Sequence, residues 1–565
     1  MNLIGDFVPE FAAKEIDYDK IHDFNITVPD NFNFAYDIVD KYANLEPKKR
    51  ALVWCDDFGN ERTMNFLEMS EASKKAATVF DSLGIKKGDF VMLILRRRWE
   101  FWPILLALHR IGAIAVPATN QLLAKDIEYR TNAAKIKMIV ALDEAQVVKA
   151  VEDALPKSPS VEKLVLVRTN VGKTMEPTKE WVDFHEKFAS SSSDFKRKEG
   201  DGRTKNDDTM LMYFTSGTSG YPKMVQHNFL YPLGHIVTAK LWQNVIEDGL
   251  HLSVAETGWA KAMWGKIYGQ WICGSAVFVY DMIQFKPYLL MQKLEKYKVT
   301  TFCAPPTVYR YLIRTDIKKF DLSNLKYFVT AGEALNPEVY NKVLELSGKK
   351  LFEGYGQTEC TLLSGNFVGM KPKPGSMGKA APGYDLAVLD SEGNECATGE
   401  VGSLVIRLHG KRPVGMFSGY YLDDALTQQV FNGGLYHTGD TAYKDEDGYL
   451  WFVGRDDDLI KTSGYRVSPF EVESIFQQHP AVLECAVTGV KDKHRGQAIK
   501  ASVVLTKGIE ATVALEHEIL EFVKSKTASY KHPRILEFVK ELPKTISGKI
   551  RRVEIRENDA KKQDE

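Results

Sequence analysis

The 565 residues of this chain are too many for one compact core, and domain sizes in general predict about two to four domains. Its 74 basic and 75 acidic residues nearly cancel, which argues against RNA or DNA as a main partner. The six cysteines are scattered singly, so their spacing excludes a disulfide framework and a cysteine-ligated metal site and fits a reducing compartment.

The first residues are typical of neither a signal peptide nor a transit peptide, because they include five acidic side chains within 19 positions and lack an apolar core. The best candidate for a membrane span, 102–116, is interrupted by Pro103 and Arg110 and is too short. We therefore expect a cytoplasmic protein without membrane insertion. Residues 1–50 mix prolines, polar residues and aromatic residues, and they predict an arm that wraps the first domain.

From residue 51 onward, segments typical of strands alternate with segments typical of helices. Strands are predicted at 51–55, 89–95, 113–117 and 138–142, and helices at 65–83, 98–111 and 125–134. This alternation predicts parallel strands joined by crossover helices. Arg96, Arg97 and Arg98 form a charge cluster at a predicted helix start, which we interpret as a solvated loop. The segment 190–208 is rich in serine and charge and predicts a surface linker.

The loop around which the chain is organised has the sequence YFTSGTSGYPK at 213–223. It follows an apolar strand predicted at 210–214, and open α/β sheets bind ligands at the carboxyl ends of strands. Glycines let successive N–H groups face one point, and Lys223 adds a charge suited to phosphate. The motif is not a Walker A loop, because Pro222 stands where that motif has glycine. The alternative is a flexible linker.

Four further strands end in loops of small, hydroxylic and acidic residues. The strands are predicted at 251–254, 300–302, 325–330 and 351–352, and their loops at 256–259, 304–307, 331–334 and 353–359. Because the carboxyl ends of parallel strands meet at one edge of a sheet, we expect these loops to line a single cleft.

From about residue 375 the pattern changes to short alternating strands with Gly and Asp turns, which predicts a small antiparallel barrel or sheet. Asp447-Gly448 is a hairpin signal. The residues beyond 458 predict a separate α+β domain of about a hundred residues. The predicted fold class is therefore α/β, with a large N-terminal domain of layered, mostly parallel sheets, a small β-barrel subdomain and a small C-terminal domain.

Six sequence segments in a fixed order carry a resemblance to a known family. They are YFTSGTSGYPK at 213–223, YGQTE at 355–359, YHTGD at 436–440, GRDDDLIK at 454–461, GYR at 464–466 and PKTISGK at 543–549. Together they resemble the acyl-adenylate-forming superfamily of acyl-CoA synthetases, peptide-synthetase adenylation domains and luciferases. The triplet that ends at Trp259 resembles the medium-chain acyl-CoA synthetase branch.

The resemblance implies an acid–thiol ligase whose small-molecule partners are a carboxylic acid, ATP with Mg²⁺, and coenzyme A. The acid would attack the α-phosphate to give an acyl-AMP and pyrophosphate. Coenzyme A would then take the acyl group and release AMP. The first step brings an anion to a polyanion, so the site must supply positive charge and oriented donors.

The resemblance also assigns residues to the nucleotide. Those implied to bind ATP or AMP are Thr215, Ser216, Gly217, Thr218, Ser219, Gly220, Lys223, Gly332, Glu333, Ala334, Glu353, Gly354, Tyr355, Gly356, Thr358, Asp440, Phe452 and Arg455. Within that set Tyr355 would stack on adenine and Asp440 would accept both ribose hydroxyls. Glu359 would ligate Mg²⁺ through a carboxylate oxygen. As alternatives, Thr358 and Glu359 fit a helix cap, and Asp440 fits an ordinary turn.

The implied catalytic residues are Lys549, Thr358, Glu359 and Arg466, with Lys549 bridging the carboxylate and the α-phosphate. The family rotates its small domain between the two half-reactions, which implies domains at 1–456 and 457–565 with a hinge at Asp457. After rotation Gly464 would line the pantetheine tunnel and Arg466 would face the AMP phosphate. Outside the family pattern Lys549 would be a solvated surface charge. A lysine acetyltransferase acting on Lys549 would silence adenylation by removing its charge.

The acyl pocket is assigned to Trp259, Met263, Cys303 and Gly356. Acetate-type enzymes carry a tryptophan where this chain has Gly356. An absent indole leaves room for several methylenes, so we expect acids from propionate to octanoate, or branched acids, to be preferred over acetate. Trp259 could shorten or gate the pocket, and the alternative for Met263 and Trp264 is a core stripe.

Other interpretations remain open at this point. Lys531 and Arg534 are candidates for the CoA phosphates, or equally a surface charge pair. An aromatic acid-CoA ligase and a free-standing adenylation enzyme that loads a carrier protein share the same motifs. A binding protein without catalysis would consume no ATP when an acid is added. A homodimer is compatible with the sequence and is not required by it.

Overall fold

The computed structural model describes residues 2–12, 16–21, 24–169, 174–215, 222–456, 458–463, 465–492, 494–544 and 550–564, with only the backbone of Arg466, Gln563 and Asp564. The strands in chain order are β1 Arg50–Asp56, β2 Glu61–Asn65, β3 Phe90–Ile94, β4 Ile114–Pro117, β5 Met138–Leu142, β6 Lys163–Val167, β7 Val182–Asp183, β8 Thr209–Thr215, β9 Lys223–Asn228, β10 Leu250–Ser253, β11 Ala276–Asp281, β12 Thr301–Ala304, β13 Tyr327–Thr330, β14 Leu351–Gly356, β15 Leu362–Gly365, β16 Lys379–Ala380, β17 Asp385–Leu389, β18 Gly402–Arg407, β19 Gly419–Tyr420, β20 Phe431–Asn432, β21 Leu435–Lys444, β22 Leu450–Arg455, β23 Ile460–Thr462, β24 Tyr465–Val467, β25 Val482–Asp492, β26 Gly496–Leu505 and β27 Ile535–Phe538. The α-helices are α1 Lys41–Leu45, α2 Phe66–Ser82, α3 Phe101–Ile111, α4 Ala124–Ala134, α5 Ala145–Ala154, α6 Phe184–Ser190, α7 Tyr231–Val237, α8 Lys261–Gly265, α9 Tyr268–Ile272, α10 Pro287–Lys296, α11 Pro306–Leu312, α12 Pro337–Ser347, α13 Asp424–Val430, α14 Pro469–Phe476, α15 Val513–Lys526 and α16 Arg552–Asp564.

Two large sheets form the core of the N-terminal part. One has the strand order β16-β15-β14-β13-β12-β10-β11-β1-β2, and the other has the order β19-β9-β8-β4-β3-β5-β6-β7. The central strands of both are parallel, from β14 to β1 in the first and from β8 to β7 in the second. Their near-continuous burial is what parallel strands covered on both faces require. The predicted α/β class is confirmed.

The helix boundaries follow signals in the sequence. Asn65 caps α2, since its side chain accepts from the Glu68 N–H while the Glu68 carboxylate accepts from the Asn65 N–H. Helix α3 ends at Gly112, whose positive φ of 82° suits a residue without a Cβ. It begins at Phe101 rather than at the predicted residue 98, because Arg96 to Arg98 form a turn.

The predicted N-terminal arm is confirmed. Leu3, Ile4 and Phe11 are completely buried in the main hydrophobic core. The Leu3 N–H donates to the carbonyl of Ile272 at 3.0 Å, so the arm is fixed to a helix that lies far along the chain. The serine-rich segment 190–208 also runs along the surface, where Arg197 pairs with Asp37 at 2.8 Å.

A third, antiparallel sheet follows, with the order β17-β18-β21-β20 and β22 beside β21. The hairpin predicted at Asp447-Gly448 joins β21 and β22. The loop predicted at 353–359 is wrong in part, and the alternative of an ordinary turn at Asp440 is not what the structure has. Strand β14 continues through Gly354, Tyr355 and Gly356 because these residues pair with β15, and β21 begins at Leu435, so the YHTGD segment lies inside a strand.

The C-terminal part has its own sheet, β24-β23-β26-β25 with β27 beside β26. Helices α14 and α15 pack on it around a separate apolar core that includes Val472, Val503 and Val523. Its contacts with the larger part include Phe452 with Phe470, whose ring centroids are 6.4 Å apart. Asp457 lies outside the described residues, so a domain boundary at that position stays a prediction. Within the described ranges no helix is long and apolar enough to cross a membrane.

Candidate active site

A cleft with a volume of about 2330 Å³ runs between the carboxyl edges of the two large sheets. The ends of β10, β12, β13 and β14, which are neighbours in one sheet, all line it. The ends of β3, β4, β5 and β8 line it from the other sheet. The prediction that four strand-end loops share one cleft is therefore confirmed.

The end of the cleft that the resemblance assigns to the phosphates is the hairpin between β8 and β9, where Thr215 pairs with Lys223. Residues Ser216, Gly217, Thr218, Ser219 and Gly220 lie outside the described residues. The Lys223 ammonium lies 5.3 Å from the centre of the Tyr420 ring, and the Tyr420 hydroxyl donates to Glu359 Oε1 at 2.9 Å. Burial and the Glu359 carboxylate raise the pKa of Tyr420, so this hydroxyl stays a proton donor.

Glu359 is the residue that the resemblance assigns to Mg²⁺. No cluster of three His, Cys, Asp or Glu side chains suited to a metal occurs within the described ranges. Mg²⁺ keeps several water ligands and is usually held by one or two carboxylates together with substrate phosphates. Glu359 beside Lys223 fits that use. Thr358 lies next to it, and its carbonyl accepts from His227 Nε2 at 2.7 Å, which fixes the backbone of the segment.

A second polar group stands around Asp440, which is 4% exposed. Gln357 Nε2 donates to Asp440 Oδ2 at 2.6 Å, and the Tyr355 hydroxyl donates to the same oxygen. Arg455, directly opposite Asp440 on β22, pairs with Oδ1 at 3.3 Å. Burial and the Asp440 charge hold the pKa of Tyr355 well above its ordinary value. A carboxylate held rigid by three neighbours can accept paired hydroxyl groups.

The adenine loop assigned to Gly332, Glu333 and Ala334 follows β13 and lines the cleft. Gly332 has a φ of 101°, which favours glycine. The Glu333 carboxylate accepts from Thr307 Oγ1 at 2.8 Å, so this loop is joined to the start of α11. The rings of Tyr355 and Phe452 lie 6.5 Å apart at an angle of 35°. All these residues face the same compartment.

Glu353 stabilises the end of this loop through a hydrogen bond, in which its Oε1 accepts from the Leu335 N–H at 2.9 Å. Burial raises its pKa to about 8. The folded protein therefore retains a proton that the unfolded chain releases above its ordinary pKa of 4.5, and this group destabilises the fold progressively as pH rises from 4.5 to about 8.

Glu353→Gln keeps the carbonyl acceptor and removes the titration. We expect the melting temperature of this variant, measured by scanning fluorimetry, to exceed that of the wild type by an amount that grows between pH 5 and pH 8. An offset that stays constant over that range would contradict the assignment.

The acyl residues have a mixed outcome. Trp259 and Cys303 line the cleft, whereas Met263 is completely buried in the core and does not line it. Gly356 lines the cleft, but the expected room beside it is occupied. A Cβ on Gly356 would lie 2.4 Å from the Thr361 carbonyl and 2.4 Å from the indole of Trp264. Trp264 therefore fills the side of the compartment where space for a chain was predicted.

The prediction for the arginine cluster at 96–98 is wrong. It is a buried ion-pair network rather than a solvated loop. Arg96 pairs with Asp281 at 2.6 Å and also with Glu144, and the Arg98 side chain, which is 8% exposed, pairs with Glu100 at 3.3 Å. Arg96, Arg98, Glu144 and Asp281 of this network line the cleft at the ends of β3, β5 and β11.

The residues assigned to the hinge, to catalysis and to CoA in the C-terminal part are only partly described. Lys544 and Ile550, which flank the undescribed residues 545–549, pair as a bridge, and both line the cleft. Lys549, Asp457 and Gly464 lie outside the described residues, and the side chain of Arg466 is not described. Lys531 pairs with Glu471, and Arg534 is exposed; neither residue lines the cleft.

Comparison with known proteins agrees with this geometry. The model of the AMP-binding enzyme family matches residues 39–421, and the model of the AMP-binding enzyme C-terminal domain matches residues 471–549. The chain belongs to the AMP-binding enzyme family. This AMP-binding enzyme is 40% identical over 552 residues to acyl-coenzyme A synthetase ACSM4, mitochondrial, of Homo sapiens, covering 96% of this chain and 93% of the relative.

A second relative and one solved structure support the same placement. The AMP-binding enzyme is 39% identical over 548 residues to acyl-coenzyme A synthetase ACSM3, mitochondrial, of Pongo abelii, covering 95% and 92% of the two chains. The crystal structure of the anthranilate CoA ligase AuaEII in complex with anthranoyl-AMP superposes with a TM-score of 0.86 at 28% identity, covering 95% of this chain and 99% of that one.

Some cleft residues of this AMP-binding enzyme were not found from the sequence. Gln357 stands inside a quoted motif, and its position there was the available signal. Tyr420 lies in an unremarkable Gly-Tyr-Tyr segment, and only the pairing of β19 with β9 brings it to Lys223. For Trp264 the sequence left the acyl pocket and a core stripe as alternatives, because its spacing from Trp259 also suits a buried helix face, and the residue was not assigned to the pocket.

Proposed function

We propose that this AMP-binding enzyme is an ATP-dependent acyl-CoA synthetase that activates a short-to-medium-chain or branched aliphatic acid. The observation that carries the proposal is the continuity of one cleft, in which the compartment beside Trp259 and Cys303 opens onto Asp440 and Lys223. A carboxylic acid held beside the phosphates of a nucleotide is what acyl-adenylate formation requires. The acyl-CoA synthetase names of the relatives support it.

In the first half-reaction Lys223 and the glycine-rich loop hold the terminal phosphates, and Asp440 holds the ribose. Tyr420 keeps Glu359 aimed at the same region for Mg²⁺. Lys549, whose flanking residues line the cleft, neutralises the carboxylate and the α-phosphate as they approach each other. In the second half-reaction the small domain turns, Gly464 lines the thiol channel and Arg466 replaces Lys549. Lys531 and Arg534, distant from the cleft here, are the candidates to meet CoA after that turn.

The acyl compartment favours compact acids. Because Trp264 occupies the space beside Gly356, an unbranched chain has less room than an absent indole alone suggests. An aromatic acid is the second candidate, since the AuaEII structure holds anthranoyl-AMP in the same fold. The experiment is pyrophosphate release across C2–C10, branched and aromatic acids, with and without CoA. Release without any acid dependence would overturn the proposal.

Asp440→Ala should raise the KM for ATP by on the order of 100-fold, because hydrogen bonds to a charged group contribute about 1.5–3 kcal/mol and roughly 1.4 kcal/mol is tenfold. The sharper readout is the ratio of kcat/KM for ATP and 2′-deoxy-ATP, which the variant should bring close to one. Asp447→Ala, at the exposed turn of the same hairpin, is the matched control. A ratio that Asp440→Ala leaves unchanged would place the ribose elsewhere.

The remaining partners and the compartment are further proposals. A cytoplasmic location is the proposal for the compartment, whereas the relatives above are named mitochondrial. Cell fractionation decides between these compartments. Acetylation of Lys549 and a homodimer are separate proposals, checked by pyrophosphate release from acetylated enzyme and by sedimentation.

A further inference from the structure

A buried carboxylate without a hydrogen-bond partner for one of its oxygens stands in the middle of the cleft. Within the described ranges nothing hydrogen-bonds Glu256 Oε2, which has no exposed surface, although the residue lines the cleft. The loop that carries it is rigid. Thr257 Oγ1 donates to the Arg96 carbonyl, and a Cβ on Gly258 would lie 2.4 Å from the Thr119 nitrogen. A buried polar atom without a hydrogen-bond partner costs free energy of folding, and a role with a ligand or in a reaction is one explanation for keeping it.

The groups around Glu256 come from four elements. Arg96 and Arg97 approach from the turn after β3, and Lys266, just after α8, carries a buried ammonium that also lacks a hydrogen-bond partner among the described residues. The Tyr213 hydroxyl on β8, without a hydrogen-bond partner in the described part of the chain, also faces Glu256, and the carboxylate of Asp281 on β11 lies near Lys266 and Arg97. Burial raises the pKa of Glu256 against the opposing charge of Arg97, and burial lowers the pKa of Lys266 to about 7.

The position of Glu256 follows from the strand order. In one sheet β10 lies between β12, β13 and β14, whose ends carry the nucleotide residues, and β11, whose end carries Asp281. AMP occupies the nucleotide end until the acyl carbon is attacked. The nucleotide end is therefore occupied when the thiol arrives, and the loop of Glu256, next to Trp259, borders the part of the cleft that AMP leaves free.

We propose that Glu256 is the general base of the thioester-forming half-reaction. Its free carboxylate oxygen takes the proton of the CoA thiol while the sulfur attacks the carbonyl carbon of the acyl-AMP. The new carbon–sulfur bond forms as the bond between that carbon and the phosphate oxygen breaks, and AMP leaves with both electrons of the broken bond. The proton then passes from Glu256 to solvent. This inference rests on the proposed acyl-CoA synthetase function.

The chemistry suits the step. A thiol with a pKa of about 8.5 is mostly protonated at neutral pH, and only the thiolate attacks well. A carboxylate whose pKa is raised by burial accepts that proton more readily than a solvated carboxylate. Proton transfer is most efficient when the pKa of the base approaches that of the thiol. The fixed loop supplies orientation, and the positive charge of Arg97 favours the ionised carboxylate.

The test is Glu256→Gln, which keeps the size of the side chain and removes the base. ATP–pyrophosphate exchange with the preferred acid should stay within about threefold of the wild type. Single-turnover formation of acyl-CoA from synthetic acyl-AMP should fall by about 10²–10⁴-fold. The residual rate should rise about tenfold per pH unit up to the thiol pKa, following the thiolate, whereas the wild-type rate levels off at lower pH.

Glu256→Asp keeps a carboxylate one methylene shorter and should recover part of the thioester rate without altering exchange. It also keeps the test decisive if the glutamine variant is unstable. An equal loss of both half-reactions, an unchanged thioester rate, or wild-type and Glu256→Gln pH profiles of the same shape would overturn the assignment. A wild-type protein that forms no acyl-AMP with any acid would overturn the proposed function instead.

Discussion

Lys549→Ala should lower acid-dependent pyrophosphate release by about 10²–10³-fold, the loss expected when one preorganised donor to a developing charge is removed. Two anions approach each other in this step, and Lys549 is the cation that the motif places between them. The described residues on either side of it, Lys544 and Ile550, both line the cleft. The measurement is initial pyrophosphate release at saturating ATP and acid.

Lys544→Ala is the matched control, because this lysine belongs to the same hairpin but its ammonium is held by Glu484 at 2.7 Å. Its pyrophosphate release should stay within about threefold of the wild type, since an exposed ion pair contributes little. The Lys549 variant should still convert synthetic acyl-AMP and CoA to the thioester. A loss of equal size in both half-reactions would show that Lys549 acts on the fold rather than on adenylation.

Trp264→Ala should change chain-length preference more than any other single substitution in the acyl compartment. Removing the indole opens the space beside Gly356. An octanoyl chain has four methylenes more than a butyryl chain, and burial contributes about 0.8 kcal/mol for each. The ratio of kcat/KM for octanoate and butyrate should therefore rise by on the order of 100-fold. The cavity should also destabilise the fold by about 3–5 kcal/mol.

Trp242→Ala is the control that separates the change in chain-length preference from the loss of stability. Trp242 packs edge-on against Trp264, with ring centroids 6.3 Å apart, but it does not line the cleft. It should cost similar stability and leave the substrate ratio unchanged.

Gly356→Trp is expected from the family resemblance to favour acetate. It should instead destabilise the fold by about 1–3 kcal/mol or more, because the Thr361 carbonyl and Trp264 already fill the site. An acetate-selective, stable Gly356→Trp enzyme would contradict this view.

Much of the fold could be predicted because strands such as β3 and β5 carry local apolar runs bounded by helix signals. The shared cleft could be predicted as well, since parallel strands place their loops at one edge. What failed depended on distant partners. Gly354 and Gly356 indicate a loop locally, yet β15 pairs with them and makes a strand.

The candidate site shows the same limit. Asp440 and Lys223 stand inside recognisable motifs, and the structure brings both to the cleft. The space beside Gly356 could not be judged from the sequence, because the residue that fills it is 92 positions earlier. Arg96 indicated a solvated loop for the same reason, since its partner Asp281 is separated from it by 185 positions.

The buried N-terminal arm has a consequence for synthesis of the chain. Leu3 donates to Ile272, so 269 residues must follow it before its partner exists. At about 5–20 residues per second the ribosome needs roughly 15–50 s for that interval, far longer than a small domain takes to collapse. Leu3, Ile4 and Phe11 therefore emerge early as apolar side chains whose core is still incomplete. The arm cannot reach its final packing until residue 272 has been made, and chaperones that bind apolar nascent chain have their opportunity during that interval.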